Sequence, residues 1–245
     1  KHLEACVADL DVQKNVRRVS GLFETVLLMS ATLVGMPVED MGLDCPVTVR
    51  SAFDLRKNRV LTTRSGPNTE EERVKDLVDL VRDNCGRALI ICKSSGVRYQ
   101  GLREPQHLLY ARLLAEAGLR VGLQVKSSDV PRLRQSLLDG EVDVVVGLAS
   151  VREGFDVPGD ALSLVVLAQL PWPYMADPIL AARIHTDGDQ WRIPQAEMEL
   201  NTRQAVGRLC RTPSDTGIVA LLDSRPNAIR RFLRLAQMDI NDAVA

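Results

Sequence analysis

Arg87-Ala88-Leu89-Ile90-Ile91-Cys92-Lys93-Ser94-Ser95-Gly96 is the stretch from which the fold is read. Ala88 to Cys92 run without a polar interruption, with Gly86 before them and Gly96 after. A short apolar run bounded by turn residues reads as a strand. A strand with one wet face would alternate apolar and polar residues. A continuous run is covered on both faces, as the parallel strands of α/β sheets are. The run then breaks into Lys93-Ser94-Ser95-Gly96, a small polar turn suited to a phosphate. Ligands of open α/β sheets sit beyond the carboxyl ends of the strands. Ser94 and Ser95 are therefore the first candidate contact residues. The alternative is that both are plain turn residues, with Lys93 solvated beside them.

The same grammar extends in both directions. Upstream, Arg59 to Thr63 is a strand candidate. Thr69 then caps a helix whose first turn carries Glu70, Glu71 and Glu72, where the helix dipole favours them. Val74, Leu77, Val78 and Val81 form its apolar stripe. Downstream, Tyr110, Leu113, Leu114 and Ala117 mark a helix ending at Gly118, and Arg120 to Val125 a strand. Val130, Leu133, Leu137 and Leu138 mark a helix ending at Gly140. Val142 to Leu148 is a further buried strand, and Ala149 to Gly159 a loop mixing charge, glycine and proline. Leu162 to Leu170 is another strand, closed by Pro171-Trp172-Pro173. A helix follows from about Asp177. Ile218 to Leu222 is the last strand, ending at Asp223, and Pro226 starts a closing helix with Ile229, Phe232 and Leu233 inward. Strand and helix alternate from residue 59 onward, the pattern of an α/β fold: a parallel sheet with helices on both faces.

The first fifty residues read differently. Leu3, Val7 and Leu10 keep helical spacing, Thr25 to Met29 form a short apolar strand, and Ser30-Ala31-Thr32-Leu33 stand at its end. Gly35, Pro37, Gly42 and Pro46 then break up the chain, so a domain boundary falls near residue 50. The chain starts with neither a methionine nor a cap signal, and the expectation is a piece of a longer protein.

One further segment carries chemistry. Residues 195–211 read as a single helix, with Pro213 behind it as a stop. Met198, Thr202, Ala205, Val206 and Leu209 share one stripe at helical spacing. Gln204, Gly207, Arg208 and Arg211 share the opposite one, spaced i, i+3, i+4, i+7. Two arginines one turn apart make a fork for a phosphate, and Gly207 allows a ligand to come close. The alternative is a solvated helix face with ordinary surface arginines.

Composition restricts the partners. The 245 residues carry a net charge of −1, so any nucleic-acid contact is a local groove rather than a generally basic surface. The aromatic content of 4% leaves few rings for base stacking. Cys6, Cys45, Cys85, Cys92 and Cys210 are scattered without C-x-x-C spacing, and the three histidines have no partners at metal spacing, so no metal site is expected in this chain. No run of 18 apolar residues and no signal peptide are found, and no membrane partner is expected. A reducing, intracellular compartment fits this cysteine usage.

Four segments in fixed order now carry a resemblance. They are Ser30-Ala31-Thr32-Leu33; Lys93-Ser94-Ser95; Arg152-Glu153-Gly154-Phe155-Asp156-Val157-Pro158-Gly159; and Gln204-Ala205-Val206-Gly207-Arg208-Leu209-Cys210-Arg211, which leads into Asp215-Thr216-Gly217 and a strand ending Asp223-Ser224-Arg225. Together they resemble motifs III, IV, V and VI of superfamily 2 helicases, in the XPD/DinG branch. The resemblance implies an ATP-driven motor of two RecA-like domains, with ATP in the cleft between them and single-stranded DNA across both. Residues 1–50 would be the end of the first motor domain with its connector, and residues 51–245 the second. By resemblance, Ser30, Ala31 and Thr32 couple nucleotide state to DNA grip. Ser94, Ser95, Ser150, Arg152 and Glu153 belong with the nucleic acid. Gly154, Asp156, Gln204 and Gly207 belong with the nucleotide, and Arg208 and Arg211 match the arginine fingers.

The departures bear on activity. No G-x-x-x-x-G-K-[ST] loop and no D-E-x-H magnesium site occur in the chain. The resemblance puts both on the first motor domain, together with the Mg2+ ligands and, in many members, an iron–sulfur cluster. Taken alone, this chain is expected to be inactive as an ATPase. Motif V has Val151 and Arg152 where the family often has an aromatic pair. Arg152 is then either a grip on a DNA phosphate or a surface change. Three functions compete: a helicase motor that moves 5′ to 3′ on single-stranded DNA, a RecA-like binding module without turnover, and a general nucleotide-binding α/β protein. No glycine-rich phosphate loop follows any strand to support the third.

Overall fold

The computed structural model describes residues 17–23, 59–63, 70–84, 86–93, 104–152, 154–223 and 225–237. Two compact units divide the chain. One holds residues 51–171 and 201–239, the other residues 1–50, 172–200 and 240–245.

The first unit is built on a six-stranded sheet. Its strands are β1 (Arg59–Thr63), β2 (Ala88–Ile91), β3 (Val121–Leu123), β4 (Val144–Gly147), β5 (Leu164–Leu167) and β6 (Gly217–Leu221), in the order β1-β6-β5-β2-β4-β3. All five neighbouring pairs are parallel, with Ile90 opposite Val146 on one side and Val166 on the other. Helices α1 (Glu70–Asp83), α2 (Gln106–Glu116), α3 (Val130–Leu138) and α6 (Pro226–Gln237) belong to this unit. The continuous apolar runs have the cause read from the sequence. Ala88, Ile90, Val144, Val146, Leu164 and Val166 pack with Val74, Leu77 and Val81 of α1 and Tyr110 and Leu114 of α2. The residues between them, Leu89, Val145, Val165 and Leu167, are equally inaccessible. Successive side chains of a strand point to opposite faces, so both faces of these strands are covered. Burying one Leu or Val side chain is worth about 1.5–3 kcal/mol, so this two-sided core is the main stabilising term.

The strands are shorter than the apolar runs that announced them. The run 162–170 pairs only over Leu164–Leu167, and 142–148 only over Val144–Gly147. Hydrophobicity continues into the loops because Leu162, Ala168 and Leu170 are also buried. The closing helix is rotated from its expected face. Ala228, Phe232, Leu235 and Ala236 are buried, whereas Ile229 and Leu233 are half-buried.

Within the second unit, α4 (Pro178–Asp187) begins at Asp177. That carboxylate accepts hydrogen bonds from Ile179 N (2.8 Å) and Leu180 N (3.0 Å). Gly188 ends the helix at φ 79°, in the left-handed region. Trp172 meets Trp191 edge to face, with ring centroids 6.1 Å apart. Helix α5 (Arg192–Val206) runs through the boundary between the two units. The strand expected at 25–29 lies outside the described residues, and of the expected N-terminal helix only 17–20 are described, as helix.

Candidate functional site

Two loops supply the candidate residues. The first leaves β4 at Gly147 and returns at β5. Val151, Phe155 and Val157 are fully buried and pin it to the core. Ser150, just before the first anchor, and Arg152, just after it, are partly accessible, while Gly154 and Asp156 are exposed. Gly154 (φ 77°) and Gly159 (φ 69°) take left-handed backbone that side chains rarely adopt. Three apolar anchors with polar residues between them explain how so polar a loop keeps one shape.

The second loop is the tail of α5. The expected stripe is buried: Met198, Thr202, Ala205, Val206 and Leu209 are all at most 3% exposed. The helix itself ends at Val206 rather than Arg211. Gly207 N still donates to Arg203 O (2.9 Å), but Arg208 N and Leu209 N reach only three residues back, to Ala205 O (3.1 Å) and Val206 O (3.3 Å). Gly207 costs helix about 1 kcal/mol relative to Ala, and the turn tightens there. The helical spacing that grouped Gln204 with Arg208 and Arg211 therefore does not govern their directions. Gln204, Gly207, Arg208 and Arg211 are all partly exposed, not turned fully into the interior.

The structure brings together Asp156 and Arg211. Asp156 Oδ1 lies 2.9 Å from Arg211 Nε. The approach is close but poorly directed, because Nε makes no aligned hydrogen bond, and Arg211 Nη2 is buried without an acceptor. The two side chains keep 62% and 29% of their exposure, so the pair is worth about 0–1 kcal/mol. Asp156 O also accepts from Arg134 Nε. Beneath the pair sits Asp215, 4% exposed. Its Oδ2 accepts from Arg211 N (2.6 Å) and Thr212 N (2.8 Å), and its Oδ1 from Thr212 Oγ1 (2.6 Å) and Gly159 N (3.1 Å). Burial works to raise the Asp215 pKa, but these donors outweigh it and hold the carboxyl below the usual range.

Ser150 and Arg152 lie elsewhere, just past the carboxyl end of β4, whereas Arg211 and Asp215 precede the amino end of β6. Ser150 Oγ accepts from Gln124 Nε2, and Gln124 Oε1 accepts from Leu148 N (2.8 Å). Gln124 is 1% exposed and orients the serine hydroxyl. Sequence reading passed it over, although a polar residue ending a strand was a signal. Asp215 is not among the expected site residues either, being read only as the start of the Asp215-Thr216-Gly217 lead-in to the last strand. At the carboxyl ends of β2 and β6, Asp223 pairs locally with Arg225 through Nε (2.8 Å) and Nη2 (2.5 Å). Burial, then the Arg225 charge, lower the Lys93 pKa beside them. Ser30, Ala31, Thr32, Ser94, Ser95 and Glu153 lie outside the described residues. Among the described residues no cluster of three or more His, Cys, Asp or Glu is placed to hold a metal ion, and no helix is long and apolar enough to cross a membrane.

Comparison with known proteins bears on this geometry. A family model described as helicase C-terminal domain matches residues 77–235. An ATP-dependent DNA helicase YoaA from Haemophilus influenzae is 34% identical over 174 residues, which are 68% of this chain and 26% of that protein. An ATP-dependent helicase DinG from Mycobacterium tuberculosis is 39% identical over 95 residues, 36% of this chain and 14% of that protein. The chain thus spans about a quarter or less of these relatives. Among solved structures, the Mycobacterium smegmatis helicase Lhr, bound to single-stranded DNA and AMP-PNP, superposes with a TM-score of 0.51 at 16% identity, over 92% of this chain and 29% of that one. An XPD helicase does so with 0.50 at 15% identity, over 72% and 34%. At such identities these two show the fold alone, and the fold is that of the RecA-like helicase domains.

Proposed function

The chain belongs to the helicase C-terminal domain family, and from that premise we propose that it is the second motor domain of an ATP-dependent DNA helicase. The motor would couple ATP hydrolysis to movement along single-stranded DNA and to duplex unwinding, with 5′ to 3′ polarity. Residues 1–50 are assigned to the end of the first motor domain, which would carry the phosphate-binding loop and the Mg2+ ligands. By the same assignment this piece alone does not turn over ATP.

One observation carries the reading: Arg211 is held by its backbone yet offers a buried Nη2 without an acceptor. Bound nucleotide supplies the phosphoryl group on which charge develops during transfer. Arg211 and Arg208 would hold that terminal phosphate, with Gln204 and Gly207 beside it and Gly154 and Asp156 on the facing loop. A guanidinium suits this work because its planar fork matches phosphate oxygens and stays charged. The present Asp156 pairing is weak enough for a phosphate to displace it. A finger on one domain and the phosphate loop on the other make turnover depend on closure, which is how hydrolysis becomes stepping. Ser150 and Arg152, and with them Ser94, Ser95 and Glu153, are assigned to the DNA strand, and Ser30, Ala31 and Thr32 to coupling. An iron–sulfur cluster, where one is present, is assigned upstream.

The test is DNA-stimulated ATPase with the first motor domain present. Arg211→Ala and Arg208→Ala are each expected to lower kcat by about 10³-fold, the lower end for arginine fingers. Turnover at the unsubstituted rate in both variants refutes the assignment. A natural gene with no phosphate-binding loop upstream replaces it with the binding-module reading.

A further inference from the structure

We propose that Asp215 is the positioning residue for Arg211, a strap that anchors both ends of the Asp156–Arg211 pair on one buried carboxylate. The proposal rests on the motor reading above. An ionised carboxylate offers about four acceptor sites, two on each oxygen. In this structure each oxygen takes two donors: Arg211 N and Thr212 N on Oδ2, Thr212 Oγ1 and Gly159 N on Oδ1. The carboxylate is saturated, and it is itself 4% exposed, so its charge depends on these four donors rather than on solvent.

The donors are not scattered. Three of the four lie at and just after Arg211, two of them backbone N–H groups, and the bond from Arg211's own N–H restricts the backbone that aims the guanidinium. The third backbone donor, Gly159 N, is three residues beyond Asp156, the guanidinium's partner, and uses a left-handed conformation (φ 69°) to reach the carboxylate. The loop that follows β4 and the loop that precedes β6 are thereby joined at one side chain. Asp215 touches neither nucleotide nor DNA in this scheme and acts through Arg211. It is also a residue for which Asn is no substitute. An amide keeps one acceptor oxygen but turns the other position into a donor, facing two donors already there.

The experiment uses the intact helicase. In Asp215→Asn, hydrogen–deuterium exchange in peptides covering 154–162 and 207–216 is expected to rise together by at least about tenfold, with peptides over β6 unchanged. DNA-stimulated kcat is expected to fall about ten- to a hundredfold, the size expected from losing hydrogen bonds to a charged group. KM for ATP is expected to hold. Thr212→Val removes one donor of the four, and should shift the same peptides and the same kcat by a smaller amount if the asparagine variant does not fold. Unchanged exchange at 154–162 in either variant overturns the strap. Raised exchange with an unchanged kcat overturns the positioning role. Arg211→Ala, run in parallel, separates the two proposals: if it leaves turnover intact, the motor assignment fails, and exchange alone decides whether the two loops are tied.

Discussion

At the residue scale, the small residues of the candidate loops are explained by what surrounds them. Gly217 opens β6 two residues after Asp215. A Cβ there would press on the backbone oxygen of Ser163 and come within 2.8 Å of Leu209 Cδ1. Ser163 O is not free to yield, since it accepts from Ile218 N at 2.9 Å. Gly217→Ala is therefore expected to destabilise by about 1–3 kcal/mol, as overpacking does. A melting curve checks it: an unchanged midpoint would mean the β5–β6 junction is looser than drawn. Gly147 has a related cause, because a Cβ there would collide with the Val151 side chain that pins the first loop. Glycines in such motifs can be spotted in a sequence, but the atom that excludes a side chain cannot.

Among the elements, what was legible depended on whether periodicity or a cap decided the matter. The stripe of α1, Val74, Leu77, Val78 and Val81, is buried as its spacing required; of the stripe expected on the next helix, Tyr110 and Leu114 are buried, whereas Leu113 and Ala117 are half-buried. Helix α5 keeps its buried stripe but stops five residues early, because spacing says which face is apolar and not where hydrogen bonding ceases. Helix α4 is the opposite case: its start is read at about Asp177, and Asp177 caps it, while the structure adds its end at Gly188. Removing the cap by Asp177→Ala leaves Ile179 N and Leu180 N without that acceptor and is expected to cost about 1 kcal/mol. Amide exchange over 178–182 should accelerate accordingly, and no change there would show that the cap contributes nothing.

For the whole molecule, the carboxylates with depressed pKa values shape the response to acid; among the described residues these are Asp129, Asp143, Asp215 and Asp223. Arg120 holds the Asp143 pKa below its ordinary value of 3.8 by hydrogen bonding. For Asp215 and Asp223 burial pushes upward, but the hydrogen bonds from their partners win and the net shift is also downward. A carboxyl with a depressed folded pKa contributes stability that is fully present above its unfolded pKa and lost as pH falls through the folded one. Stability is thus expected to be insensitive to these groups at neutral pH and to decline below about pH 4, the unfolded carboxylate range. Urea denaturation between pH 7 and pH 2.5 measures this, and Asp215→Asn should flatten the acid limb. A limb of unchanged slope would remove Asp215 from the linkage. By itself the sequence determined the class of fold, the covered parallel strands and the family, because these follow from hydrophobic period and from motifs that are local in the chain. Only the tertiary structure decided that Asp156 meets Arg211 and that Asp215 ties Gly159 to Arg211 and Thr212. Those contacts join residues as many as 56 positions apart, across the neighbouring strands β5 and β6, and no local pattern encodes which side chains two separately folded loops will share.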